Sequence, residues 1–174
     1  MRGTLIIAAM LLLAACGSGA PEIPQEPTAT AKDDAVSFVK RFQAVVAPCD
    51  AAGKVVSSVN DMVSMYRAAD HMEAACLEVP GKIRELEVPV SLGKDAHAQF
   101  TKAVEDCDNA YLARWSAARA MKEAVEHSDS IAAQADLADA TEGLQAAILI
   151  CGAGLAGGAM SVGASEADLG LKDQ

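Results

Sequence analysis

The chain has 174 residues, 52% of them apolar and only 3% aromatic, with 14 Lys+Arg against 24 Asp+Glu for a net charge of −10. A surface this acidic repels phosphate, which argues against nucleic acid as a partner and against tight binding to anionic lipid headgroups. Alanine abundance and the lack of β-branched or aromatic runs favour helix throughout.

The N-terminus reads as an address. Arg2 precedes an apolar run from Leu5 to Ala15, and the small pair Ala14-Ala15 stands before Cys16. A charged start, a short apolar core and small residues at a cut site describe a secretory signal over residues 1–15, too short for a comfortable bilayer span. Leu13-Ala14-Ala15-Cys16 resembles the lipobox of bacterial lipoproteins. The resemblance implies cleavage before Cys16, a diacylglyceryl thioether on its sulfur and two or three acyl chains in all. Two or more chains hold a protein stably on a membrane. In that family an aspartate directly after the cysteine retains the protein at the inner membrane. Gly17 stands there instead, which implies the outer membrane, on its periplasmic face.

From Gly17 to Ala31, Pro21, Pro24 and Pro27 recur every three residues without an apolar period. Such a segment prefers extended geometry and buries no core, so residues 16–31 are expected to form a flexible tether. About 140 residues remain, enough for one domain with a core of its own.

Four stripes follow, each with apolar or small residues at alternating three- and four-residue steps. They are Val39, Phe42, Val46, Cys49, Gly53, Val56; then Met62, Met65, Ala69, Met72, Cys76, Val79. A less regular third runs Phe100, Val104, Cys107, Tyr111, Trp115, Ala118, Met121, Val125. The fourth is Leu137, Thr141, Leu144, Ile148, Cys151, Leu155. Each marks the buried face of an amphipathic helix. Pro48 lies inside the first and predicts a kink or a break there. The pattern F-x-x-x-V-x-x-C-D-x-A occurs at Phe42–Ala52 and again at Phe100–Ala110, which points to duplication or matched architecture.

Turn signals divide the stripes into two hairpins. Asn60-Asp61 separates the first pair. Pro80-Gly81 and Pro89 bracket a longer connection. His127-Ser128-Asp129-Ser130 separates the last pair, with Ser128 or Ser130 able to cap the next helix. Residues equidistant from an antiparallel turn lie side by side. Cys107 and Cys151 are centred on residue 129, and Cys49 and Cys76 are centred between residues 62 and 63, just past Asn60-Asp61. Four cysteines in an exported chain suggest two disulfides, and this geometry favours Cys49–Cys76 with Cys107–Cys151. The rival pairing is Cys49–Cys107 with Cys76–Cys151. The expected fold is all-α: an antiparallel four-helix bundle over residues 32–164, made of two disulfide-stapled hairpins, with a loose tail over 165–174.

Chemical motifs are few. Gly152 to Gly157 matches G-x-G-x-x-G, but a dinucleotide site needs a following helix, a strand and an acidic residue about 20 positions on, and the chain ends too soon for them. From Gly143 to Ser165 there is no charge. The run is long enough to span a bilayer, yet its helical stripe and its glycines suit a bundle helix packed close to its neighbours. Met62, Met65, His71 and Met72 form a candidate copper cluster, since thioether and imidazole are soft ligands. The three methionines also lie on the core stripe, where packing is their default role. Tyr66, Tyr111, Arg114 and Trp115 are candidates for a groove between hairpins.

No catalytic motif is present. Asp50 and Asp108, each following a cysteine of the repeat, would act as an acid–base pair only if desolvated opposite one another. The expectation is therefore a non-enzymatic, membrane-anchored envelope lipoprotein without a cofactor, which binds an envelope protein or supports an assembly. The alternative is a periplasmic small-molecule or copper carrier.

Overall fold

The computed structural model describes residues 29–171. The signal segment, the acylation candidate Cys16 and the tether up to residue 28 lie outside the described residues.

The first stripe becomes α1 (Ala29–Val56), which buries Ala35, Phe38, Val39, Phe42, Val46, Cys49 and Ala52. The second becomes α2 (Met62–Cys76), capped by the Asp61 carboxylate, which accepts from the Ser64 amide at 2.9 Å. The connection between hairpins holds a short helix, α3 (Val79–Arg84), and a single 3₁₀ turn, Val90–Leu92. The third stripe becomes α4 (Lys94–Glu126), and the last arm α5 (Ile131–Thr141) and α6 (Leu144–Ser161). Ser130 caps α5 through its hydroxyl.

The topology is up-down-up-down. α2 and α6 each pack on both α1 and α4 or their extensions, while α1 and α4 run parallel on a diagonal and meet only through side chains. Phe38 and Phe100 meet edge to face there, with ring centroids 5.2 Å apart and both residues fully buried. This favourable aromatic geometry links the two hairpins at the end where α1 begins. Phe42 and Tyr111 repeat the contact further along.

The disulfides are Cys49–Cys76 and Cys107–Cys151, one within each hairpin. The repeat has a structural echo: the aspartate after each half-cystine holds an arginine, Asp50 with Arg114 and Asp108 with Arg84.

Several details depart from the sequence expectations. α1 begins at Ala29, inside the segment read as tether, and Ala31 is already buried. α1 also runs through Pro48 without a break. Pro48 and Ala44 both lie on the exposed side, so the carbonyl that lost its donor turns to water while Val46 and Cys49 hold the helix to the core. The last arm is two helices rather than one. Gly143 takes a left-handed φ of 71°, which a residue without Cβ adopts without strain and which ends a helix.

The segment read as a loose tail is docked through Leu169. That side chain is buried, and its carbonyl accepts from Gln43 Nε2 at 3.2 Å. Asp168 accepts from the Ser165 amide and hydroxyl and pairs with Lys32 of α1 at 2.9 Å.

Candidate interaction surfaces

α6 has two apolar faces. The inner one, with Cys151, Leu155, Gly158 and Ala159 buried, lies against α4. Glycine makes this approach close: a methyl at Gly154 would stand 3.0 Å from Ala103 Cβ, and one at Gly158 would stand 2.9 Å from Phe100 Cε2. The G-x-G-x-x-G segment thus lies inside a helix and is not a phosphate-binding turn; packing explains its middle glycine, Gly154, and the Gly158 that follows it.

The outer face follows a second stripe, Ala146, Leu149, Ala153, Ala156 and Met160, at steps of three and four residues. Leu149 is 65% exposed, Met160 48%, and the adjacent Ile150 57%. No charge falls anywhere on the helix. The stretch Ile131–Ser161 has a mean hydropathy of 1.6 in its most apolar window, enough by length and composition to cross a membrane, with 22% of that window buried in the domain. Its backbone is interrupted at Gly143, and Cys151 welds it to α4, whose Lys102, Asp106 and Asp108 face water or salt partners. Such a helix cannot enter lipid alone. A solvent-facing stripe at this period has the spacing of a helix-packing seam.

The sequence candidates separate in space. Tyr111 is buried and donates to Asp50 at 3.0 Å, and Arg114 pairs with the same carboxylate. Burial, followed by the Asp50 charge, raises the Tyr111 phenol well above its ordinary range. Tyr66 lies by Lys122, which α2 holds through Asp70 and Glu73. Those two carboxylates push the Lys122 ammonium pKa upward.

Of the four groove candidates Trp115 lines a surface groove of about 580 Å³, with Leu77, Leu112, Pro80 and Arg84. Arg119 covers its ring at 5.1 Å. Asp50 and Asp108 are not brought together as a pair; each is matched to its own arginine.

The Met/His cluster also divides. Met72 is 2% exposed in the core, and His71 is exposed on the other side of the helix. Met62 and Met65 instead share a cavity with Met121 of α4. Sequence reasoning placed Met121 on a core stripe and missed this meeting, because it depends on how the two hairpins pack. Among the described residues, no group of three or more His, Cys, Asp and Glu gathers as a metal site.

Compared with known proteins, the chain matches no family model, no curated protein and no solved structure.

Proposed function

We propose that this chain is a lipid-anchored, non-enzymatic protein of the bacterial cell envelope that binds a partner protein through the outer face of α6. The lipobox resemblance at Leu13–Cys16 supports the address and an anchor on Cys16, and Gly17 after it supports the outer membrane, facing the periplasm. Two disulfides support an oxidising compartment.

The observation that carries the binding role is the exposed, charge-free stripe of α6. Leu149 and Met160 protrude from it as knobs, and the exposed Ala146 and Ala153 leave shallow holes beside them. Soluble domains rarely leave such a face uncovered. The partner is a helix with an apolar stripe of its own. A charged helix is rejected, because α6 offers nothing to pair with a buried charge.

The test is site-specific photo-crosslinking in native membranes. A photoreactive residue at position 149 yields one discrete protein adduct, whereas the same residue at Lys54 yields none. No adduct from position 149 sinks the proposal. Intact-mass measurement of the same material reads the acyl chains on Cys16; an unmodified cysteine removes the anchor.

A further inference from the structure

The end of the bundle away from Ala29 carries a cavity lined by sulfur. Met62 and Met65 lie three residues apart at the start of α2, and Met121 joins them from α4. Val56, Val125 and Leu137 complete the walls of a space of about 350 Å³. α1 separates this end from Ala29 by its whole length, about 42 Å at 1.5 Å per residue. No charged side chain lines the cavity. Two of its donors are already engaged: the Gln134 amide donates to the Ala124 carbonyl, and the Thr141 hydroxyl donates within its own helix turn.

Donor chemistry decides what such a lining selects. Calcium and magnesium require several oxygen ligands. Zinc takes thiolate, imidazole or carboxylate. Thioether is neutral and soft and suits Cu(I). The stronger soft ligands are absent, because Cys49, Cys76, Cys107 and Cys151 are all oxidised, so methionine is the reduced sulfur left to the domain.

Packing explains Met72, which is 2% exposed, but it does not explain Met62, which is 52% exposed. That exposure leaves an entry path for an ion. Methionine turns about three side-chain bonds, which lets three thioethers close on one centre.

We infer that Met62, Met65 and Met121 form a three-thioether site for a single Cu(I) ion. The site is independent of the α6 face and goes beyond the partner-binding reading. Thioethers carry no proton to lose, so binding is insensitive to pH across the range in which imidazole sites weaken.

The experiment is an anaerobic titration of the purified full chain with Cu(I), in competition with a chromophoric chelator. One ion binds per chain, with equal affinity at mildly acidic and neutral pH. The triple variant Met62→Leu, Met65→Leu, Met121→Leu binds about tenfold more weakly or worse. Leucine is close in volume, so that variant keeps its melting temperature. Met72→Leu and His71→Ala bind as the parent does. X-ray absorption of the loaded protein shows sulfur scatterers alone. Affinity unchanged in the folded triple variant, affinity lost in His71→Ala, or no binding by the parent each overturns the site.

Discussion

A methyl group on Gly158 would stand 2.9 Å from Phe100 Cε2, nearer than packed carbon atoms come. Phe100 cannot yield easily, because it is fully buried and its ring lies edge to face with Phe38. Gly158→Val therefore overpacks the core and costs about 1–3 kcal/mol. Gly152, on the same helix, has nothing within 4 Å of an added Cβ and a helical φ. Gly152→Ala stabilises by about 0.5–1 kcal/mol through helix propensity alone. Chemical denaturation of the two variants reads the opposite signs. A stabilising Gly158→Val would show that α6 does not sit so close to α4.

The staples differ in loop size, with a sequence separation of 27 from Cys49 to Cys76 and of 44 from Cys107 to Cys151. The chain-entropy relation assigns about 3.5 kcal/mol to the first and about 4 kcal/mol to the second. The double variants Cys49→Ser/Cys76→Ser and Cys107→Ser/Cys151→Ser should both lose much of a typical domain's stability, the second slightly more. Urea unfolding of each under non-reducing conditions checks the order.

Asp50 joins α1 to α4 by accepting from both Tyr111 and Arg114. Asp50→Ala removes both bonds and leaves a mostly buried guanidinium, its side chain 18% exposed, without its partner. The expected loss is about 1–3 kcal/mol. Asp50→Asn retains an acceptor for the Tyr111 hydroxyl and falls between the variant and the parent. Equal melting temperatures for Asp50→Ala and the parent would remove this link from the account of the fold.

The docked tail responds to acid. The Ser165 amide and hydroxyl, followed by Lys32, hold the Asp168 carboxyl well below its usual value of 3.8. Because the folded value is the lower one, its contribution is fully present above 3.8 and fades as pH falls toward the folded value. Amide hydrogen exchange at Leu169 and Gly170 should therefore accelerate, relative to the core of α4, once the pH drops below about 4. Asp168→Asn reproduces the faster exchange at neutral pH. Protection that is equal in the variant and the parent would show that the tail docks through Leu169 alone.

On the outer face of α6, Leu149→Lys replaces a side chain that water already reaches. Stability changes by no more than about 0.5 kcal/mol, while the partner complex in native membranes dissociates. The melting temperature of the purified variant, measured beside co-purification of the partner, separates a binding defect from a folding defect.

Local periodicity was enough to place the helices. Val39, Phe42, Val46 and Cys49 bury as their spacing predicts, and the two turns put Cys49 beside Cys76 and Cys107 beside Cys151. These features depend on 3.6-residue geometry and on distance from a turn, which are properties of the chain read in order. Breaks were harder to place. A proline does not end α1, because its lost hydrogen bond falls on the wet side, whereas a single left-handed glycine divides the last arm at residue 143.

The order of residues along the chain carried the class of fold and favoured the disulfide pairing that the structure holds, whereas the arginine partners of Asp50 and Asp108 emerged only from the packing. The spacing of Ile148, Cys151 and Leu155 already marked the inner side of α6, but only the tertiary structure decided that the comparably apolar outer side is left uncovered, since α4 lies against just one of them. The same holds for the methionines. Met121 lies 56 residues after Met65 and 59 after Met62, and only the packing of α2 against α4 brings the three to one cavity while Met72 stays in the core. Helical period reports which residues share a face of their own helix; which faces meet is set by the fit of side chains between helices.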